Sequence, residues 1–380
     1  MVRLGGLQLP KVPHLFPLTS LRFFAAAVIV LGHILPTVVG IPGDSRFGLG
    51  VSFFFVLSGF ILTYQYRDFS QHSVKAFYVA RFARLWPIHL VTFWLVVIAI
   101  QPHILLSPMH AMTAMLNLLL LHAWLPISGL VFSWNAPSWS ISDELWFYLL
   151  FPFLAQTRRL WVWLTALIAI AAFIVFSFPI APAKLFEFSY VHAIMQHPAV
   201  RVVEFAVGVL AGRLYNAGQR IRMPATALEI LAVSLIALYG VTSPAVQRVI
   251  AAAGYPSVGL WYSQSGGVLI FAFAIFIFAQ GGGPISRLLG WRLLVLLGEI
   301  SFSTYMLHQT IFRYAVMHQW SENIGTTLAT IFALIITYGG SWALWRFIEV
   351  PCRRWIISKS YGSVTTVAPE GMKTRPLAAE

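Results

Sequence analysis

Apolar runs of about 20 residues recur from one end of this chain to the other, the length an α-helix needs to cross the hydrocarbon core of a bilayer. In lipid, every backbone N–H and C=O must find its partner inside the protein, so such a chain folds as packed helices. With 59% hydrophobic and 10% charged residues over 380 positions, the sequence describes an all-α polytopic membrane protein. Pro10, Pro13 and Pro17 punctuate the start, and no small-residue cleavage site follows a short apolar core. The first apolar segment is therefore expected to stay in the membrane.

Spans are expected near 17–36, 47–66, 84–101, 138–155, 160–179, 201–217, 226–243, 259–280, 293–316 and 326–350, about ten crossings in all. Segment 108–125 (PMHAMTAMLNLLLLHAWL) is also apolar. Counted as a crossing, it would move Arg158 and Arg159 to the side opposite the other basic loops, so it is read as one non-crossing helix in the outer half. With the N-terminus in the cytoplasm, twenty Lys and Arg residues fall inside, and only Arg46, Lys184, Arg201, Arg248 and Arg313 fall outside. That bias puts both termini in the cytoplasm. Residues 1–16 form an N-terminal cytoplasmic segment, 17–357 the transmembrane domain, and 358–380, polar and without apolar periodicity, a disordered cytoplasmic tail.

The net charge of +13 does not signal nucleic acid, because the basic residues sit between apolar segments rather than in one patch interleaved with aromatics. Cys352 is the single cysteine, which excludes an internal disulfide framework and a Cys-rich metal site. No metal is expected.

Function must then be sought in the polar residues inside the spans, each of which costs roughly 2.5–3.5 kcal/mol to insert. Arg22 and His33 are eleven residues apart in the first span. Eleven steps of about 100° return to nearly the same helix face, about 16 Å along the axis, so the two line one wall of one interior. The plainer readings are a snorkelling arginine and a buried histidine bonded to backbone. Glu144, in SWNAPSWSISDELWFYLLFP (133–152), is expected about two turns inside, near the level of His33. A buried imidazole beside a buried carboxylate is what a general base needs. In SFSTYMLHQT (301–310), Ser301, Tyr305 and His308 share a helix face, as ligand contacts or as interhelical hydrogen-bond glue. In RFARLWP, Arg81 and Arg84 stand three apart, as topology signals or as a phosphate clamp.

In combination these segments resemble the membrane-bound O-acyltransferases of the acyltransferase-3 type, which include bacterial O-antigen, exopolysaccharide and Nod-factor acetyltransferases. The resemblance spans residues 15 to 355. It rests on the Arg22–His33 spacing, FFFVLSGFIL (53–62), RFARLWP, SWSISDELWFYLLFP, RVVEFAVGVLAG, SFSTYMLHQ and FIEVPCRRW. Many relatives read Glu-Glu-Gln where this chain has Glu144-Leu145-Trp146, so only Glu144 is carried over. The resemblance implies a ten-helix enzyme of the bacterial inner membrane that takes an acyl group, usually acetyl, from coenzyme A in the cytoplasm and delivers it to a sugar hydroxyl on the other side. No extra hydrolase-like domain follows the last expected span, as it does in some polysaccharide acetyltransferases.

The expected roles follow. Arg22, Arg81 and Arg84 bind the anionic end of acyl-coenzyme A, His33 is the general base, and Glu144 orients it or stabilises its imidazolium. Ser58, Tyr305 and His308 contact the thioester or the carbohydrate acceptor, which is lipid-linked in some versions of this chemistry. Direct transfer and a two-step route through an acyl-histidine both fit these residues. A transporter of lipid-linked sugars would also bury Arg, His and Glu, but its usual sign, two halves with matched broken helices, is missing.

Overall fold

The computed structural model describes residues 13–42, 48–100, 108–127, 129–177 and 190–361, together with a short hairpin pairing Val2–Leu4 with Leu7–Leu9. Everything else described is helix and connecting turn, so the all-α polytopic architecture holds. Among the described residues, seven helices are long and apolar enough to cross a membrane. The other expected spans are Leu49–Gln65, with 17 residues; Ser138–Gln156, with 19 and a polar first half; and Arg292–Glu299 followed by Ser301–Met317, with 8 and 17. The figure of about ten crossings is thus not established by helix length and hydropathy alone.

The Pro108–Leu118 helix has 11 residues, a rise of about 16 Å, too short for the roughly 30 Å hydrocarbon core. Its end is tied down by Asn117, whose amide donates to Ser133 O and to Ser138 Oγ, while Asn117 O meets His89 Nε2. These bonds satisfy irregular backbone that lipid could not. The final helix, Val350–Tyr361, runs four residues into the segment expected as a tail, and 362–380 lie outside the described residues.

Burial separates interior from periphery. Helices Leu160–Ser177 and Ala225–Ala252 turn most of their surface outward, with Trp161, Phe173, Val241 and Val249 at least 70% exposed, as lipid-facing helices do. Helices Leu49–Gln65 and Pro198–Asn216 form the centre. They cross backbone to backbone: a Cβ on Gly59 would lie 2.1 Å from Phe205 O, and one on Gly208 would lie 2.0 Å from Val56 O. Small residues permit such approach where lipid supplies no hydrophobic drive between helices. The contact fixes Ser58, next to Gly59, toward the bundle interior.

That interior also holds a charged cluster that the positive-inside count misplaces. Arg201, taken from sequence as an outer-side charge, is 1% exposed. Its guanidinium pairs with Glu204 at 2.9 Å and donates to Ser265 Oγ at 2.6 Å and to Ser52 Oγ at 3.1 Å. Two π-helical turns interrupt long helices, Leu35–Val39 just after His33 and Trp345–Glu349 at the end of the last long span. Such turns re-aim side chains within a helix.

Candidate functional site

Three cavities run in sequence through the bundle. The basic cavity, about 770 Å³, is lined by Arg22, Arg81, Arg84, Arg353 and Arg354 with Glu299 and Glu349. The central cavity, about 150 Å³, shares Arg22, Ile61, Arg81 and Arg84 with it and adds Ser58, Ser140, Glu144, Tyr148 and Tyr305 among aromatic and aliphatic walls. The third, about 230 Å³, shares Val51 and Tyr305 with the central one and holds His33, Trp139, Arg201, Gln264 and Gln309. Five arginines, with two carboxylates, thus line one end, His33 lies at the other beside Arg201, whose charge is already paired with Glu204, and a small, mainly apolar cavity lies between.

The first helix accounts for both ends. Arg22 and His33 lie on one wall as their spacing requires, Arg22 in the basic and central cavities and His33 in the third. Arg81 and Arg84 join Arg22 from the Val74–Ala99 helix, and the two differ in their bonding. Arg84 makes an ion pair with Glu349, which also accepts from Ser303 Oγ at 2.9 Å. The Arg81 guanidinium packs over the rings of Tyr66, Phe77 and Tyr148 at 5.7–6.0 Å, and its buried Nε has no hydrogen-bond partner among the described residues. Of the two, Arg81 is the freer to meet an anion.

The expected partnership of His33 with Glu144 is replaced by another. Glu144 faces the central cavity, where Ser58 Oγ donates to its Oε1 at 2.9 Å and Tyr148 Oη donates to the same oxygen. The neighbour of His33 is His308, with Nε2 of His308 3.1 Å from Nδ1 of His33. The two residues line neighbouring cavities, Glu144 the central one and His33 the third, so a depth counted along each helix did not decide which side chains meet. His308, expected to touch substrate, is fully buried behind His33 and lines none of the three cavities.

Backbone carbonyls settle the tautomers. Nδ1 of His308 lies 2.6 Å from Tyr305 O and 3.3 Å from Thr304 O, which can only accept, so Nδ1 carries the proton and Nε2 is an acceptor. Nδ1 of His33 lies 2.9 Å from Ile29 O and beside that acceptor, so it too carries its proton. The remaining nitrogen of His33, Nε2, is therefore the basic one. Tyr305, on the wall between the central and third cavities, donates to Pro137 O at 3.1 Å and accepts from Ser140 Oγ at 2.8 Å. It is held as a partition rather than left to swing.

Several residues of this region were given no functional role in the sequence reading. Glu349 and Arg353 sit in FIEVPCRRW, where a carboxylate closing an apolar run was the available signal. Arg201 and Glu204 sit in RVVEFAVGVLAG, where opposite charges three apart inside a span were the signal. Asp143 beside Glu144 is fully buried, and neither of its carboxylate oxygens has a hydrogen-bond partner among the described residues.

Comparison with known families identifies the class. Residues 18–346 match the acyltransferase domain family, and the chain belongs to the acyltransferase-3 family of membrane acyltransferases. Among characterised proteins it is similar to Acyltransferase MdmB of Streptomyces mycarofaciens, at 30% identity over 386 residues, covering 91% of this chain and 93% of that protein. No solved structure matches it.

Proposed function

We propose that the protein transfers an acyl group, acetyl in the simplest case, from acyl-coenzyme A to a hydroxyl of a sugar or polysaccharide precursor across a bacterial cytoplasmic membrane. The observation that carries this reading is the set of three cavities with shared walls, five arginines lining the first and His33 the third. In this reading the basic cavity opens to the cytoplasm, as do both termini, and the His33 cavity opens to the opposite side. The pyrophosphate of the donor sits by Arg22 and Arg81, its arm threads the central cavity, and its thioester reaches the partition at Tyr305. Arg22 and His33 are about 16 Å apart along their helix, so an extended donor spans the interval without itself crossing.

The acceptor occupies the third cavity, where Trp139 offers an aromatic face and Gln309 an amide to a polyhydroxylated ring. His33 Nε2 takes the proton of the acceptor hydroxyl as its oxygen attacks the thioester carbonyl. The C–S bond then breaks, the thiolate leaves, and the imidazolium returns the proton to sulfur. Ile29 O and His308 Nε2 hold Nδ1–H of His33 throughout, the positioning task expected of Glu144. Glu144 instead gathers the hydroxyl hydrogens of Ser58 and Tyr148 on the central cavity wall.

The test uses purified protein in nanodiscs with isotopically labelled acetyl-coenzyme A and a panel of sugars. Acceptor-dependent thiol release with a labelled ester product is the expected result. Transport of a lipid-linked sugar with no thiol release overturns the reading.

A further inference from the structure

The basic cavity carries more positive charge than its own carboxylates balance. Five guanidiniums, from Arg22, Arg81, Arg84, Arg353 and Arg354, face it against the two carboxylates of Glu299 and Glu349. Arginine does not discharge in proteins, so burial or crowding cannot relieve the excess by deprotonation. Glu349 is already committed to Arg84 and Ser303. Such an excess, converging from three separate helices on one open cavity, suits a ligand with several negative charges.

The arginines also form two tiers. Arg22, Arg81 and Arg84 line both the basic and the central cavities, whereas Arg353 and Arg354 line the basic cavity alone. The second pair lies on the final helix, Val350–Tyr361, which forms the outer wall of the mouth with Trp355 and Ser358. Coenzyme A has a matching order. From the thioester outward come the arm, the pyrophosphate, and the ribose with its 3′-phosphate. With the thioester toward His33 and the pyrophosphate at Arg22 and Arg81, the third phosphate falls further out, at the level of the final helix.

Resting on the donor assignment proposed above, we infer that Arg353 and Arg354 form a subsite for the 3′-phosphate of the donor nucleotide. This subsite distinguishes acyl-coenzyme A from acyl carriers that lack the phosphorylated ribose. The same pair of guanidiniums could instead engage phosphate of an anionic lipid headgroup, so lipid composition is one arm of the test.

The experiment compares acetyl-coenzyme A with acetyl-dephospho-coenzyme A as donors for the wild type, Arg353→Gln, Arg354→Gln and the double variant, in nanodiscs of phosphatidylcholine alone and with added phosphatidylglycerol. In the wild type, removing the 3′-phosphate should raise KM about tenfold or more, the scale of one charge-assisted contact. In the double variant that ratio should fall to near one, because ligand phosphate and protein charge are the two arms of one interaction. Arg353→Lys should recover part of the ratio, and thermal unfolding of each variant shows whether its fold is kept.

A wild-type ratio near one, or a ratio unchanged in the double variant, overturns the subsite. So does an effect present only with phosphatidylglycerol, which assigns the pair to lipid. Failure of the wild type to use either thioester removes the donor assignment itself, an outcome separate from a functioning enzyme with an unaltered ratio.

Discussion

Nδ1 of His33 and Nε2 of His308 lie 3.1 Å apart although 275 positions separate them in the chain. The proton on this contact belongs to His33, because the one proton of a neutral His308 sits on Nδ1, where it is donated in a hydrogen bond to Tyr305 O. One imidazole therefore accepts from the other, and Nε2 of His33 takes no part in this contact.

His33→Ala should lower kcat by at least about 10² while the protein inserts and purifies normally, since a general base contributes about 10²–10⁴. His308→Ala should give a smaller loss, confined to kcat. His308→Gln, whose amide oxygen can still accept from Nδ1–H of His33, should recover part of it. Steady-state kinetics with saturating donor measures all three. Retention of more than about a tenth of the wild-type rate in His33→Ala removes the base assignment.

The arginines of RFARLWP should separate by phenotype. Arg84→Ala leaves Glu349, whose side chain is 3% exposed, without its ion-pair partner, and breaking one side of a buried pair costs about 3–5 kcal/mol. A marked fall in thermal stability is expected. Arg81→Ala should unfold at nearly the wild-type temperature yet bind coenzyme A more weakly by about tenfold. Calorimetric unfolding and direct coenzyme A titration of the two variants make the comparison. Unchanged affinity in Arg81→Ala returns that residue to a topological role.

The central helix crossing should tolerate no side chain at its closest points. Gly59→Ala and Gly208→Ala place a Cβ about 2 Å from a backbone carbonyl of the facing helix, so the helices must part. Overpacking of this kind costs about 1–3 kcal/mol, and the opened gap adds to it. Gly240→Ala, with nothing within 4 Å of the new methyl, is the control. Monodispersity after detergent extraction reports the difference.

Sidedness is open to single-cysteine labelling once Cys352 is replaced. Cysteines at His72 and Arg222 should react from the cytoplasm only, and cysteines at Phe132 and Tyr255 from the opposite side only. Labelling of position 132 from the cytoplasm would reverse the direction assigned to the His33 cavity. It would also overturn the proposed route of donor and acceptor.

The all-helical architecture is written in the sequence itself, because about 20-residue apolar runs leave the backbone no other way to satisfy its hydrogen bonds in lipid. The shared wall of Arg22 and His33 is equally legible, since spacing within one helix sets azimuth and rise directly. So is the charge of the mouth, announced by RFARLWP. Partner choice is not legible in this way. Glu144 and His33 were matched by depth, but the fold gives His33 to His308, and Glu144 to Ser58 and Tyr148. Arg84 finds Glu349, 265 positions away, and Arg201, counted among the outer-side charges, is buried against Glu204. In a soluble protein an apolar stripe shows which way each helix faces. In a bilayer the lipid-facing side is as apolar as the core, so rotation about each axis leaves little trace in the sequence. The tertiary packing, with close crossings such as Gly59 against Phe205 and Gly208 against Val56, decides which buried polar groups meet.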